Sequence, residues 1–313
     1  MDYIRDNKNK PYKYKKPFDY CANIHLTNMC NFFCNGCDHY SNYKIGGYLG
    51  VERFEEYLKT WCDKFNQLKL EVRLLGGEPT LNRHLVDIIK LTRKYTPDNN
   101  IILFTNGTYL HKHENLKKVL IDNKIVLKLT EHSREKKYLD MINPVKEKLR
   151  RWSNEGLDYR SFDYTEGFGW TGTEAVALGG GRIHNDGIWR KQYKGHGVTM
   201  RPYEDNEPRK SWEICQCSWA NGGVQNVQLY ENKLWKCPPI AYLKDAVTKF
   251  GLQTHPKWKP YLKYKPLSGD VNFEEMVNWM RREEEDVCNM CPAYDDKREK
   301  VLDKDVFGER RYS

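Results

Sequence analysis

Three cysteines fall within eight residues, in the run Cys30-Asn31-Phe32-Phe33-Cys34-Asn35-Gly36-Cys37. No other feature constrains the chain so tightly. Three thiols spaced x3 and x2 belong on a loop that wraps one centre. Such a loop can hold three irons of a [4Fe-4S] cube and leave the fourth iron open. Zinc takes four ligands, or three and water, commonly in paired C-x2-C units, and an x3 gap suits it poorly. The preceding residues 22–27 alternate as a strand does, so the triad follows a first strand.

The other cysteines extend the argument. The chain has ten in 313 residues, five of them beyond residue 214. A secreted disulfide scaffold is usually shorter and carries an export signal. Residues 1–16 are polar and lack an apolar signal core, so the cysteines read as metal ligands or redox groups in a cytoplasmic, reducing setting. Cys21 and Cys62 read as packing residues. No apolar run reaches the length of a membrane span, and 13% aromatic residues argue against general disorder. The net charge of +9 permits an acidic partner, but basic residues are interleaved with acids, as in Arg281-Arg282-Glu283-Glu284-Glu285.

A second motif follows the second strand. Residues 72–75 read as buried strand and run into Gly76-Gly77-Glu78-Pro79, where glycines allow close backbone approach and Glu78 offers a carboxylate. With both motifs in this order, the chain resembles the radical S-adenosylmethionine (AdoMet) superfamily. The resemblance implies a cluster on Cys30, Cys34 and Cys37 and AdoMet amine binding by Gly76, Gly77, Glu78 and Pro79. One departure stands out: the family often has an aromatic before the third cysteine, near the adenine, and here it is Gly36. That contact is then expected from His39, Tyr40 or backbone.

Strands are expected over 22–27, 72–75, 101–104, 125–130, 157–165 and 198–203, with helices over 51–68, 81–95, 112–122 and 141–152. The alternation argues for an α/β fold with a parallel sheet. Six units resemble a partial (β/α)6 TIM-like barrel, the cysteine triad, Glu78, Asn106 and Thr130 all lying at strand ends on one rim. Asn106, Thr130 and Arg160 are further cofactor-binding candidates. Glu131, His132 and Arg201 are base or substrate-binding candidates. The glycine-rich segment 166–197 reads as a lid over the mouth.

After residue 211 the pattern changes. Cys217, Cys237, Cys288 and Cys291 flank a hairpin around Glu231-Asn232-Lys233 and a helix over 273–282. This resembles a twitch domain, a shortened SPASM domain that holds one auxiliary [4Fe-4S] cluster. Cys215 competes with Cys217 as the first ligand, Cys217 being preferred, and structural zinc is the alternative occupant. The expected division is an extension over 1–17, a radical AdoMet core over 18–210 and an auxiliary β-hairpin/helix iron–sulfur domain over 211–313. Residues 1–17 and the tail from Asp295 read as surface extensions.

The resemblance implies two [4Fe-4S] clusters, an electron donor such as flavodoxin or ferredoxin, no membrane, and reductive cleavage of AdoMet to a 5′-deoxyadenosyl radical. The leading expectation is oxidation of an alcohol to a ketone on a small polar substrate, such as a sugar, aminocyclitol or nucleotide-linked sugar, with the auxiliary cluster accepting the second electron. Epimerisation with Cys215 as hydrogen donor is one alternative, and peptide, protein or nucleic-acid modification another. The start of the motif at Cys30 leaves no room for an N-terminal leader-recognition domain. An electron carrier would need no amine pocket, so Glu78 argues against one.

Overall fold

Why the sheet forms is visible in the strands themselves, which set apolar residues at every second position. The computed structural model describes residues 19–163 apart from 35 and 134, the short segments 168–171 and 175–176, and 189–301 apart from 216, 222–223, 295 and 297–299, with 306–307. The side chains of 160–190 and 297–301, and that of Asp19, are outside the description.

The first half winds as β1 (Asp19–His25), α1 (Val51–Leu68), β2 (Glu71–Leu75), α2 (Leu85–Tyr95), β3 (Ile101–Thr105), α3 (Leu116–Asp122), β4 (Val126–Leu129), α4 (Lys136–Asn154) and β5 (Tyr159–Asp163). These five strands pair in parallel, each with the next. Ala22, Ile24, Val72, Leu74, Leu103 and Leu127 form one face and join a single core with Phe54, Leu58, Trp61 and Phe65 of α1. Helix α1 matches its expected span, because those residues recur at i, i+4 and i+7.

Beyond β5 the expectation fails in an informative way. β6 (Phe168–Thr171) pairs antiparallel with β5, and β7 (Ala175–Val176) antiparallel with β6. The outer edge of β5 is therefore closed, and no parallel strand over 198–203 can dock there. Residues Gly197–Thr199 form a 3-10 turn instead. Arg201 pairs with Lys194 across an isolated bridge. β8 (Trp189–Arg190) pairs with β11 (Lys300–Val301) in a separate two-stranded sheet.

The sixth parallel strand comes from the other end of the chain. After α5 (Pro208–Glu213), β9 (Val224–Tyr230) lies parallel to β1, pairing Asp19 with Val224 through Ile24 with Leu229. β10 (Lys233–Trp235) returns antiparallel through a tight turn whose Glu231 and Asn232 both have positive φ, as a two-residue hairpin loop needs. The sheet order is β10-β9-β1-β2-β3-β4-β5-β6-β7. The fold is a mixed α/β partial barrel with a parallel-rich sheet, and the expected hairpin is part of that same sheet.

Helices α6 (Pro238–Ala241), α7 (Leu243–Lys249), α8 (Lys259–Leu262) and α9 (Phe273–Met280) complete the C-terminal part. Residues of α6, α7 and α8 build a second core with Tyr40, Tyr43, Tyr193 and Met290. The tail departs from a surface extension. Val306 is buried and its carbonyl accepts from Phe33 N–H at 3.0 Å, while Phe307 packs on Phe32 and Tyr138. An apolar Val-Phe pair in a polar tail was the signal. Among the described residues no helix is long and apolar enough to cross a membrane.

Candidate functional site

The parallel strands end on one rim, and the cysteine loop is stitched to it by backbone. Gly77 N–H donates to Thr27 O and Glu78 N–H to Met29 O, both at 2.7 Å. A Cβ on Gly77 would overlap the Met29 carbonyl, and one on Gly76, whose φ is +153°, would sit 2.6 Å from Thr27 O. Both glycines are thus required by the close approach of two backbones. Gly77→Ala is expected to destabilise the protein by about 1–3 kcal/mol, read as a lower denaturation midpoint.

Glu78 is fully buried and its carboxylate is already engaged. Oε1 accepts from Thr80 N–H at 3.0 Å, Thr80 Oγ1 at 2.5 Å and Thr105 Oγ1 at 2.6 Å. Oε2 accepts from Asn106 N–H at 2.7 Å. Burial raises its pKa, and these hydrogen bonds work the other way. The side chain that the sequence offered to an amine is therefore a pin between the ends of β2 and β3. Asn106 continues the network: its Nδ2 donates to Asn31 Oδ1 at 2.9 Å, inside the cysteine loop. Pro79 opens the 3-10 turn Pro79–Leu81 behind Glu78. Thr130 lies past β4, its N–H on Thr105 O at 2.8 Å.

Cys30, Cys34 and Cys37 are half-buried on this loop. Burial pushes the Cys30 thiol to about 12 and that of Cys37 to about 11. Burial also raises Cys34, and Cys30 and Cys37 beside it raise it further. Such thiols are poor bare anions and suit a positively charged iron–sulfur centre. Lys44 Nζ closes the loop, 2.5 Å from Cys30 O.

Other candidates are placed differently from expectation. Tyr40 is completely buried, ring against Tyr43 and Tyr193, its OH donating to Pro239 O at 3.1 Å. It bridges the two cysteine regions and is no adenine platform. His39 is packed too, stacked on His25 and Tyr242. Gly36 has φ +80°, and a side chain there would run into Lys191 Cγ. The buried stem of Lys191 thus fills the space that an aromatic residue before Cys37 would need. His132 reaches the rim, Nδ1 3.5 Å from Cys34 Sγ, with its pKa lowered to about 4 by burial. Glu131 turns to α4 and pairs with Lys146 at 2.8 Å. Arg201 is exposed. Arg160 stands on β5 opposite Lys128 in register, its side chain outside the described residues. Most of the glycine-rich segment also lies outside them.

The sequence reading missed the polar lumen. The residues alternating with the apolar face are Asn23, His25, Glu71, Arg73, Phe104, Lys128, Asn226 and Gln228. Arg73 pairs with Glu71 at 2.6 Å and sits over the Phe104 ring at 5.8 Å, with Lys128 Nζ 4.7 Å from the same ring. Charges at alternate positions of otherwise apolar strands were the available signal. His25 lies here with Nε2 2.6 Å from Asn28 Oδ1, which fixes its proton on Nε2. Burial, with His39 beside it, lowers its pKa to about 3. The unfolded chain therefore binds this proton below the ordinary His value while the folded chain does not. Its contribution to stability is full above pH ~6.5 and falls by about 1.4 kcal/mol per pH unit as pH drops towards the folded value. Between pH 7.5 and 5.5 the expected loss from this group is about 1.4 kcal/mol in all, read as a falling denaturation midpoint, and His25→Gln should remove about that much of the fall.

Cys215, Cys217, Cys237, Cys288 and Cys291 line one cavity together with Lys236, Gln225, Ser211 and Ser218. Among the described residues no three His, Cys, Asp or Glu side chains converge closely enough for a single metal ion.

Comparison with known proteins agrees with this architecture. Residues 24–158 match the radical SAM superfamily. The chain carries a radical SAM domain. The match runs from the end of β1 to the residue before β5 and holds the triad, the glycine pair and Glu78. A probable GTP 3′,8-cyclase of Thermoplasma volcanium is 43% identical over 88 residues, 28% of this chain and 26% of that protein. A GTP 3′,8-cyclase of Shewanella denitrificans is 22% identical over 245 residues, 72% of this chain and 69% of that one. The chain spans about a quarter to a third of the length of the first curated relatives it matches. Among solved structures, BtrN in complex with AdoMet and 2-DOIA aligns over 89% of this chain and 94% of its own, at 17% identity and a TM-score of 0.45.

Proposed function

We propose that the protein is a radical AdoMet enzyme that takes a hydrogen atom from a small polar substrate, and that its C-terminal thiols hold an auxiliary iron–sulfur cluster. The observation that carries this reading is the stitching of the cysteine loop to the Gly76-Gly77-Glu78 segment at the ends of parallel strands. A [4Fe-4S] cluster on Cys30, Cys34 and Cys37 would supply the electron that cleaves AdoMet. The chain's own residues set the geometry. Asn31 and Asn106 fix the loop against β3, while Glu78, saturated by its four donors, holds the ends of β2 and β3 together. A ligand amine at this rim would then meet the backbone of Gly76 and Gly77 rather than the Glu78 carboxylate. The Arg73–Glu71 pair and Lys128 line the lumen and favour a substrate with strongly polar groups.

The auxiliary reading rests on the donor set. Five thiols around one cavity, without convergence on a point, suit a polynuclear cluster better than a single zinc ion. Such a cluster can accept the electron that an alcohol-derived radical must lose on becoming a ketone, so oxidation remains the leading outcome. The relatives' names give cyclisation of a nucleotide as the second reading, and the polar lumen favours it equally.

The test is anaerobic reconstitution with iron and sulfide, reduction with dithionite, addition of AdoMet, and measurement of 5′-deoxyadenosine by liquid chromatography. Release of 5′-deoxyadenosine is expected. None from a preparation with about four irons or more per chain would reject the reading.

A further inference from the structure

Five thiols line a cavity where a closed cluster site needs four. The two that compete, Cys215 and Cys217, are held differently by the fold. Cys215 follows α5 directly after its cap Ile214, its N–H on Trp212 O at 3.1 Å. Helix α5 is tied to the other ligand segment, because Ser211 Oγ donates to Cys291 O at 3.1 Å. The 3-10 turn Asp286–Met290 carries Cys288 and leads into Cys291. Cys215 is thus anchored beside the segment that carries Cys288 and Cys291. Cys217 is tied to Cys215, its N–H on Cys215 Sγ at 3.4 Å, and to β9 of the main sheet. Its carbonyl accepts from Asn226 N–H at 3.2 Å. Asn226 is a lumen residue of β9, with Cys21 Sγ donating to its Oδ1 at 3.1 Å, and Cys21 lies opposite Glu71 in register.

We propose that Cys215, Cys237, Cys288 and Cys291 ligate the auxiliary cluster and that Cys217 is the fifth thiol, unligated at the boundary between cluster cavity and lumen. This reverses the preference for Cys217 as first ligand, and it rests on the auxiliary-cluster reading above. The electrostatics agree. Both Cys237 and Cys288 feel the charge of Cys215. The Cys217 thiol is pushed up by its hydrogen bond with Cys215 and by burial, with Cys215, Cys237 and then Asp38 of the N-terminal loop around it. Arg73 in the lumen pairs with Glu71 at 2.6 Å. In consequence the loaded protein offers one C-terminal thiol to any small electrophile, or substrate-derived radical, that enters the lumen.

The test uses the full chain, reconstituted anaerobically. Iron is counted in wild type, Cys215→Ala and Cys217→Ala, and loaded wild type is treated with iodoacetamide and mapped by mass spectrometry. The wild type should hold about eight irons per chain. Cys215→Ala should lose about half of them and Cys217→Ala none. Among the five C-terminal cysteines, only Cys217 should be carbamidomethylated, slowly at neutral pH and faster as the pH is raised, because burial keeps its thiol protonated; no labelling of it even at high pH overturns the assignment. Loss of iron in Cys217→Ala with retention in Cys215→Ala, or alkylation at Cys215 in place of Cys217, overturns the assignment. The alkylation map needs no variant, so a misfolded mutant does not decide the matter. A wild-type count of about four irons sinks the auxiliary reading itself, and this assignment with it.

Discussion

Replacing Cys34 by alanine should abolish 5′-deoxyadenosine formation, down to the level of a protein-free control, and remove about half of the iron. Cys34 is the central thiol of the loop, flanked by Cys30 and Cys37 and touched by His132 at 3.5 Å. Two thiols cannot retain a centre that three hold with one position already open. The complementary variant is Cys237→Ala. It should lose the other half of the iron yet still form 5′-deoxyadenosine, because its thiol lines the C-terminal cavity, whose lining includes none of Cys30, Cys34 and Cys37. Product from the native substrate should nevertheless disappear if the second cluster takes the electron. If the two variants lost the same irons, the thiols would be serving one centre, and the two-site reading would fail.

The second large effect concerns stability. Glu78→Ala should cost about 3–5 kcal/mol, because it removes one buried acceptor group from four donors at once. Thr80 N–H, both threonine hydroxyls and Asn106 N–H would be stranded where water has little access. Glu78→Gln should cost less, about 1–3 kcal/mol, since it keeps an oxygen for the Thr80 and Thr105 donors but sets an NH2 against Asn106 N–H. Urea denaturation of the iron-free chain separates this role from any part in ligand binding. A change below 1 kcal/mol for Glu78→Ala would show that the pin carries no weight. On that outcome the saturated carboxylate would be free to turn to a ligand.

Much of the architecture was legible because it depends on local pattern. Helix α1 could be delimited residue by residue from the spacing of Phe54, Leu58, Trp61 and Phe65. The triad and the glycine pair could be placed on one rim because each follows a strand. The sixth parallel strand was misplaced for a non-local reason. Residues 198–203 carry an alternating pattern, but the edge they needed was already covered by Phe168–Thr171. β9 has the same kind of pattern, and nothing in its own residues says that its partner is β1. The site divided along the same line. Tyr40 and His39 follow the third cysteine directly, so proximity in sequence suggested proximity to a cofactor. Packing assigned them to aromatic stacks instead. Lys191 and Phe307 reach the cysteine loop from more than 150 residues away, and only the folded chain brings them there. Arg73 and Lys128 were legible in principle, through period-two alternation, but their strands read as uniformly buried.

The pairing of β9 with β1 also sets an order in time. Cys21 and Asn226 stand 205 residues apart in the chain and side by side in the sheet. At about 5–20 residues per second, a ribosome needs roughly 10–40 s to travel between them. Throughout that interval β1 presents an unpaired edge, with the apolar row of Ala22 and Ile24 on one side and the nascent cysteine loop just downstream. Closing so long a loop is slow because its entropy must be given up before any contact repays it. Completion of the barrel therefore waits for the segment that carries the second set of thiols. A chain interrupted before residue 230 would have the first motif intact and one side of its sheet open, a natural target for a chaperone or for another edge.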